Sequence, residues 1–210
     1  MKQSDRPFLI AVTGGIAAGK SVVSSWFEKH NLKVIYADKL GHELLRDNKI
    51  LSQISDLFGK EIIKDNEIDR KKLGKMIFNS EIKRKELNKL LHPKILEEID
   101  ELIKKSREKI LLFEIALLFE NNLEQAFDMT INVSADEKIK LRRIIKRDNI
   151  TIRQAKKRIK TQMSDQDKKK ISDINLMNNG SLEELYSELN KLLPIIKTSD
   201  KKNLSDIRKI

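Results

Sequence analysis

Residues 14–21 have the sequence Gly14-Gly15-Ile16-Ala17-Ala18-Gly19-Lys20-Ser21, which fits the pattern G-x-x-x-x-G-K-[ST] at every fixed position. They follow the apolar run Phe8 to Val12, which predicts a buried strand, and they precede a helix-like segment that begins at Val22. Glycine lets the backbone wrap closely, so successive N–H groups can point at phosphate oxygens, and the N-terminus of the following helix adds a positive dipole end. The stretch therefore predicts a phosphate-binding loop between a strand and a helix.

All eight loop residues are candidate contacts of a nucleotide. We expect Lys20 to bridge the β- and γ-phosphates of ATP and Ser21 to ligate Mg²⁺. A glycine-rich turn that only resembles the motif is the alternative. GTPases, motor ATPases and small-molecule kinases share such a loop, but the chain has no guanine motif of the Asn-Lys-x-Asp type and, at 210 residues, is short for a motor ATPase. An ATP-dependent small-molecule kinase is therefore favoured.

Four further apolar segments, at residues 32–38, 110–115, 129–133 and 171–177, predict strands that extend this unit. Strands that alternate with helices indicate a parallel sheet. The predicted fold class is therefore α/β, a P-loop NTPase three-layer sandwich with a five-stranded parallel sheet, an inserted helical substrate domain and a helical lid.

The domain organisation follows from where the helical patterns lie. Residues 7–38, 109–134 and 171–195 form the predicted nucleotide-binding core, the last of them ending in an amphipathic helix over 181–193 with Ser181 as its N-cap. Residues 39–108 are mainly helical and longer than a simple crossover needs, which predicts an inserted domain. Within it, His92-Pro93 predicts a helix restart. Residues 135–170 are helical and basic and form the predicted lid, and 196–210 form a polar tail.

Composition narrows the class of protein. The chain carries a formal net charge of +11 and has no cysteines, which excludes disulfides and thiolate metal sites and permits a reducing compartment. We find no apolar run near 18 residues and no secretory segment, so a soluble cytoplasmic protein is expected. The basic excess suits nucleic acid, a polyanionic small substrate, or solubility alone. The aromatic content of 5% counts against single-strand binding.

Two carboxylates are candidates for chemistry. Asp38 ends the second predicted strand at the edge where ligands of open α/β sheets gather, so it could orient or deprotonate an attacking hydroxyl. Its alternative role is a helix N-cap. Glu114 lies in the third predicted strand between apolar neighbours, where a buried carboxylate needs a partner. Holding Mg²⁺ would supply one, and an edge or surface position is the alternative.

The predicted lid contributes arginines. Arg143 and Arg147 are four residues apart on one helical face, and guanidinium groups suit the charge on a transferring phosphoryl group. A solvated basic face is the alternative. His92 is most simply structural, and contact with substrate is its other role. The three histidines show no metal-ligand spacing.

Together these residues resemble the dephospho-CoA kinase family, from Ile10 to about Leu193. None of the short motifs after the loop is specific by itself. Their order and spacing together are specific. The resemblance rests on Thr13 to Ile16, Gly19-Lys20-Ser21, Ala37-Asp38, Phe58-Gly59, Asp69-Arg70, Leu73, Ile77-Phe78, His92-Pro93, Ile95, Leu117-Leu118-Phe119-Glu120, Arg143, Arg147-Asp148, Thr151, Arg158-Ile159, Gln162 and Asn178-Asn179-Gly180.

The resemblance implies ATP-dependent phosphorylation of the ribose 3′-hydroxyl of dephospho-CoA, the last step of coenzyme A synthesis, with ATP and Mg²⁺ required. It implies that residues 39–108 are the CoA domain and that Asp38 is the base. It further implies that Arg143 and Arg147 face phosphate, that Leu117, Leu118 and Glu120 lie near the acceptor, and that Asn178 to Gly180 approach the adenine. Neither nucleic acid nor a membrane is an expected partner, and a monomer is favoured.

The chain departs from the family pattern at a few positions. Tyr36 stands where the family usually has the first carboxylate of an Asp-Ala-Asp triplet. Ala17 and Ala18 replace the usual glycine and serine of the loop, Ala116 a common proline, and Glu114 a frequent aspartate. Three alternatives stay open. They are a kinase acting on a nucleoside or nucleotide, a nucleic-acid-binding or regulatory NTP-binding module indicated by the net charge, and an inactive family member indicated by Tyr36.

Overall fold

The computed structural model describes residues 6–198, apart from the side chains of Phe78 and Asn79. Residues 199–210 of the predicted tail lie outside the described residues, as does the side chain of Phe78 in the family motif. The chain forms two compact units: a first unit from the residues up to Tyr36 and from Arg107 onward, and a second unit, Ala37–Ser106. Within residues 6–198, no helix is both long and apolar enough to cross a membrane.

The strands are, in chain order, β1 (Phe8–Gly14), β2 (Lys33–Tyr36), β3 (Ile63–Lys64), β4 (Glu67–Ile68), β5 (Ile110–Glu114), β6 (Met129–Ser134) and β7 (Ile174–Met177). The helices are α1 (Lys20–Lys29), α2 (Ala37–Leu44), α3 (Asn48–Phe58), α4 (Arg70–Asn79), α5 (Glu81–Lys105), α6 (Glu137–Asp148), α7 (Ile152–Lys160), α8 (Asp165–Ile171) and α9 (Leu182–Thr198). Short 3-10 turns lie at Lys60–Ile62, Phe119–Asn121 and Glu124–Ala126.

The first unit is built on a five-stranded sheet in the order β2-β5-β1-β6-β7. Every neighbouring pair in this sheet is parallel, which confirms the predicted fold. The register places Glu114 beside Val12 of β1 on one side and beside Tyr36 of β2 on the other. Because parallel strands end at the same edge of a sheet, the residues that follow β1, β2 and β5 start from a common edge.

The core of the first unit fixes both ends of the loop that follows β1. The β1 side chains of Phe8, Ile10 and Val12 are buried in one cluster with Val23 and Phe27 of α1. The same cluster takes in four residues of α9, namely Leu185, Leu189, Leu192 and Ile196. The strand before the loop and the helix after it therefore belong to one packed core, which holds residues 14–19 between two rigid elements.

The second unit contains α2 to α5 and the antiparallel hairpin β3–β4. Its core is a separate cluster of Leu45, Ile50, Ile54, Phe58, Ile62, Ile68, Leu73 and Leu87. Asp69, from the family motif, caps α4 by accepting from the N–H groups of Lys71 and Lys72. The backbone hydrogen bond from Lys72 is the largest cause of the lowered pKa of this carboxyl group. The hairpin was not predicted, since each of its strands has two residues.

Two helix boundaries differ from the sequence prediction because proline does not end a helix here. His92-Pro93 lies inside the continuous helix α5, where a restart was predicted. Pro194 lies inside α9, which was expected to end at residue 193, with the tail from residue 196. Proline removes one backbone hydrogen bond but has a helix-compatible φ. The burial of Ile196 within the core cluster helps to stabilise the last turn of α9, so residues 196–198 belong to that helix.

Three strands are shorter than predicted, β5 by the single residue Ile115. β2 ends at Tyr36, and α2 begins at Ala37, so Asp38 is not strand-terminal as expected. It lies inside the first turn of α2, not at the N-cap position of a helix that begins at Lys39. β7 begins at Ile174, because residues up to Ile171 complete α8 and Asp173 caps the neighbouring strand by accepting from Thr130 N–H over 2.8 Å.

Candidate nucleotide-binding site

The loop between β1 and α1 has the backbone that its glycines predict. At Gly14 φ is +149°, and a Cβ there would lie 2.1 Å from the carbonyl oxygen of Val133. At Gly19 φ is +110°, and a Cβ there would lie 2.1 Å from Nδ2 of Asn178. No L side chain fits at either position without displacing its neighbour. Gly14 and Gly19 are therefore required for two reasons: their φ values are positive, and neighbouring atoms leave no room for a Cβ.

Ala17 occupies a conformation that usually belongs to glycine. Its φ is +59°, in the left-handed region, where a Cβ costs about 1–2 kcal/mol. The side chains of Ile16 and Ala17 pack against the buried cluster of Leu141, Ile144 and Ala155 from α6 and α7. That packing offsets part of the strain. The alanine that departs from the family pattern is thus accommodated by contacts with the basic segment 135–170.

Lys20 lies at the mouth of α1 with its head group turned back over the loop. Its Nζ donates to the carbonyl oxygens of Gly14, at 2.9 Å, and Gly15, at 3.2 Å. Gly19 precedes the helix and gives it no side-chain cap. The first turn of α1 therefore offers its dipole end and backbone N–H groups beside a lysine, an arrangement that suits an anion.

Ser21 and Glu114 form a pair of oxygen groups beside the lysine. Ser21 Oγ donates to Glu114 Oε1 over 2.9 Å. The other oxygen, Oε2, is buried and has no hydrogen-bond partner among residues 6–198. Since β5 lies between β2 and β1, the alternative of an edge position for Glu114 is wrong. A buried carboxylate oxygen without a partner, next to a hydroxyl, fits the hard oxygen ligands that Mg²⁺ prefers.

Tyr36 does not take the place of the missing carboxylate. Its hydroxyl donates to Glu28 Oε2 on α1 over 2.9 Å. Burial is the largest cause of the raised pKa of this phenol, and the hydrogen bond to Glu28 adds to it. The phenol therefore stays protonated at neutral pH and contacts α1 through Glu28. The chain has one carboxylate, Glu114, at this register position of the sheet.

Arg143 and Asn178 brace the far side of the loop. The Arg143 guanidinium donates to the carbonyl oxygens of Ala17 and Ala18, both at 3.3 Å, and to that of Asn178 at 3.0 Å. Asn178 is buried, and its Nδ2 donates to Ala18 O over 2.7 Å. These two side chains join α6, the loop and the turn after β7. Arg143 is therefore not on a solvated basic face.

A cavity of about 680 Å³ lies beside Arg143 and Asn178. Its lining combines the loop, α6 and the turn after β7: Ala17, Gly19, Lys20, Ser21, Val22, Arg143, Lys146, Arg147, Asn178, Gly180 and Leu182. The volume is within the range of small-molecule sites. The candidate residues Asn178 and Gly180 are thus brought together with Lys20, Ser21, Arg143 and Arg147.

Arg147 differs from Arg143 in its partners. Its Nε and Nη2 donate to the two oxygens of Asp148, at 2.7 and 3.0 Å, and more than half of its side chain is exposed. The hydrogen bond to Asp148 raises the pKa of Arg147, and it is also the largest cause of the lowered pKa of Asp148. Arg158 contacts the same carboxylate. Arg147 lines the cavity with a head group held by Asp148.

Several predicted acceptor residues have structural partners. Glu120 Oε1 accepts from Met163 N–H over 3.0 Å and lies 2.8 Å from Nζ of Lys168, which is fully buried. Leu118 is fully buried, while Leu117 is half-buried. In the second unit, Asp38 is exposed in the first turn of α2, and His92 is half-buried in α5. Burial lowers the pKa of His92 and so keeps its ring neutral at neutral pH.

Three polar residues near the loop were not assigned a role from the sequence. Gln162 Oε1 accepts from Ile16 N–H over 2.7 Å. Lys140, which is buried, pairs with Asp165 at 2.5 Å, and a Cβ at Gly15 would lie 2.9 Å from Asp165 Oδ1. Gln162 had a signal as part of the family motif. The Lys140–Asp165 pair had none, because the surrounding sequence is rich in both charges.

The site combines a glycine-bearing loop, which joins a buried strand to a helix, with a lysine and a hydroxyl–carboxylate pair at the start of that helix. These features define a nucleotide-binding protein of the P-loop class. A sequence model of one family, described as dephospho-CoA kinase, matches residues 8–184. The chain belongs to the dephospho-CoA kinase family. Members of this family catalyse the ATP-dependent phosphorylation of dephospho-CoA in the last step of coenzyme A synthesis, so the chain is a kinase by family. The family prediction from the sequence is confirmed.

Individual proteins show the same similarity. The chain is 43% identical over 191 residues to a dephospho-CoA kinase from Oceanobacillus iheyensis, covering 88% of this chain and 96% of that relative. It is similar to a solved protein from Thermus thermophilus, with a TM-score of 0.80 and 28% identity over 92% of this chain and 99% of the other. A solved dephospho-CoA kinase from Campylobacter jejuni gives a TM-score of 0.66 and 30% identity, covering 90% and 97%.

Proposed function

We propose that this protein transfers the γ-phosphoryl group of ATP to the ribose 3′-hydroxyl of dephospho-CoA. Family membership supports the reaction. The observation that carries the proposal is the grouping of Lys20 with the Ser21–Glu114 pair at the start of α1. Phosphoryl transfer depends mainly on positioning and on stabilising charge, and these groups supply both.

The nucleotide is held by the loop and the cavity beside it. Lys20 exchanges its hydrogen bonds to the loop carbonyls of Gly14 and Gly15 for bonds to the β- and γ-phosphates. The adenine occupies the cavity lined by Asn178 and Gly180. Arg143 keeps the loop and the adenine side together, since it bonds to carbonyl groups of both. Arg147 faces the phosphates from the cavity wall, with its guanidinium oriented by Asp148.

Ser21 Oγ and the carboxylate of Glu114 would hold Mg²⁺. The pair fits, because Mg²⁺ usually takes one or two protein oxygens and completes its shell with phosphates and waters. When bound, the ion neutralises the charge that develops on the phosphate oxygens. Glu114 also accepts a hydrogen bond from the Ser21 hydroxyl, whose lone pairs stay available to a cation.

The acceptor hydroxyl is oriented and deprotonated by Asp38. This residue is two positions along the chain from the end of β2, and β2 ends at the sheet edge where the loop begins. We extend the acceptor site to His92, Leu117, Leu118 and Glu120 as the family resemblance suggests. The buried Leu118 and the ion-paired Glu120 shape that site through the backbone they fix.

Cellular location and assembly follow as further parts of the proposal. A reaction that consumes ATP, in a chain without cysteines, suits the reducing cytoplasm. We propose a cytoplasmic monomer that needs no nucleic acid or membrane. The net charge of +11 then serves to attract polyanionic substrates.

An acceptor panel tests the proposed reaction. ADP release would be measured with ATP, Mg²⁺ and dephospho-CoA, and the product identified by mass as carrying one added phosphate. Nucleosides and nucleoside monophosphates serve as rival acceptors under the same conditions. Faster phosphorylation of a rival acceptor, or ATP hydrolysis without phosphorylated product, contradicts the proposal.

Replacing Glu114 by glutamine is expected to raise the Mg²⁺ concentration for half-maximal turnover by about tenfold, in line with altered metal-site ligands elsewhere. Glutamine keeps the shape and a hydrogen-bond acceptor for Ser21 but removes the negative charge. Titration of activity with Mg²⁺ at saturating ATP measures the effect. The control is Glu137→Gln, since Glu137 is exposed on α6. An unchanged Mg²⁺ dependence in Glu114→Gln would remove this carboxylate from the metal site.

A further inference from the structure

A side chain from the basic segment reaches the first half of the phosphate loop. Gln162 Oε1 accepts from Ile16 N–H over 2.7 Å, although 146 residues separate the two in sequence. Gln162 follows Thr161, the C-cap residue of α7, and its own N–H donates to Ile159 O over 3.2 Å. The side-chain oxygen of Gln162 thus joins the end of α7 to the Ile16 peptide group of the loop.

The segment on which Gln162 lies is fixed to the core of the first unit. The next residue, Met163, donates its N–H to Glu120 Oε1 over 3.0 Å. The same Glu120 oxygen lies 2.8 Å from Nζ of Lys168. Asp165, which lies between Met163 and Lys168 in the sequence, pairs with the buried Lys140. Buried ion pairs of this kind favour one geometry strongly, since leaving either charge alone is costly. The position of Gln162 is therefore set by its surroundings.

The loop is in contact with this segment at neighbouring residues as well. A Cβ at Gly15 would lie 2.9 Å from Asp165 Oδ1, so the backbone of residue 15 approaches the carboxylate closely. The side chains of Ile16 and Ala17 pack on the α6–α7 cluster. Residues 15–17 thus pack against the segment that contains α6, α7 and Asp165. Within this packing, the hydrogen bond from Ile16 N–H to Gln162 is the directional contact.

We propose that Gln162 is a positioning residue: its side-chain oxygen fixes the Ile16 peptide and thereby the direction of the neighbouring loop amides. The inference rests on the proposed function, in which those amides hold the phosphates. Gln162 touches no reacting atom and acts through Ile16. Small misalignment of groups that stabilise a transition state lowers the rate more than it weakens ground-state binding. The residue therefore contributes to kcat rather than to the KM for ATP.

The test compares three variants of the full-length protein. Gln162→Leu removes the acceptor at similar size, and Gln162→Glu keeps an acceptor oxygen. Gln166→Leu, four residues later on the exposed face of α8, is the matched control. Hydrogen exchange of the Ile16 amide is followed by NMR in the nucleotide-free protein, together with a core amide of β1. Steady-state kinetics with ATP and dephospho-CoA, and thermal unfolding, complete the set.

We expect the Ile16 amide to exchange about tenfold faster in Gln162→Leu and close to the wild-type rate in Gln162→Glu and Gln166→Leu, as the loss of one hydrogen bond predicts. The core amide keeps its rate in all variants. In Gln162→Leu, kcat falls about tenfold while the KM for ATP changes less than about threefold. Unchanged Ile16 exchange, a general loss of protection, or an equal kinetic effect of Gln166→Leu overturns the proposal.

The exchange measurement separates this inference from the proposed function. It needs neither substrate nor turnover, so it reports on the Gln162–Ile16 contact even if dephospho-CoA is not the acceptor. A wild-type protein that fails to phosphorylate dephospho-CoA but shows the Gln162-dependent protection refutes the proposed reaction alone. The kinetic part is then repeated with the acceptor that the panel identifies.

Discussion

Lys20→Ala is expected to lower kcat/KM by about a thousandfold, because the lysine meets the charge of the transferring phosphoryl group. The lysine is the cation at the mouth of α1, where its Nζ already lies over the loop at 2.9 Å from Gly14 O. Removing a positioned charge that meets the transferring phosphoryl group costs about 10²–10⁵ in rate in comparable sites. Steady-state kinetics measure the loss, and calorimetry measures the accompanying weakening of Mg-ATP binding.

The control for this substitution is Lys29→Ala. Lys29 is exposed at the opposite end of the same helix and carries the same charge. It therefore reports any effect of lowering the net charge by one or of shortening a lysine on α1. Near-normal catalysis in Lys20→Ala, or an equal loss in both variants, would falsify the assignment of residues 14–21 as the site of the triphosphate.

Asp38→Asn should lower kcat by about 10²–10⁴, the usual contribution of a general base. The change removes the proton acceptor but keeps the size of the side chain. Asp38 is exposed at the start of α2, so neither the core of the second unit nor the phosphate loop should change. Mg-ATP affinity, measured by calorimetry, is expected to stay within about threefold of wild type. Single-turnover rates with dephospho-CoA measure the chemical step.

Asp56→Asn provides the matched control in the same unit, because Asp56 is exposed on α3. It tests whether loss of one surface carboxylate affects turnover through charge alone. If Asp38→Asn retains turnover, the base lies elsewhere and Asp38 has only a structural role in the first turn of α2. If it loses Mg-ATP binding as well, the residue supports the nucleotide site instead.

Local sequence was sufficient to predict the phosphate loop. The glycine spacing, the apolar run before the loop and the helix after it lie within about twenty residues. The close approach of Gly14 to Val133 and of Gly19 to Asn178 joins distant parts of the chain and was not predicted. The parallel sheet was predictable for a related reason, since buried parallel strands are almost continuously apolar, as in Ile110–Glu114. Glu114 could be selected because a carboxylate among apolar residues needs a partner.

Contacts between distant parts of the chain were not predictable from these patterns. The bond between Gln162 and Ile16 depends on how α7 and α8 fold back over the loop, and the sequence offers many other polar side chains at similar positions. The course of α5 through Pro93 was also not predicted, because proline was expected to mark a helix start, whereas its φ is compatible with a helix interior. The strained φ of Ala17 is likewise determined by its neighbours rather than by its own preference.

The parallel pairing of β2 with β5 determines how the protein can be shortened. The chain leaves β2 at the carboxyl ends of the strands and must enter β5 at their amino ends, so the connection between the two strands has to return along the length of a strand. A tight turn cannot join parallel neighbours, which need a connection of about a dozen residues or more. A shortened protein without the second unit therefore requires a traversing linker, preferably helical. Insertions inside that unit, by contrast, leave the strand pairing untouched.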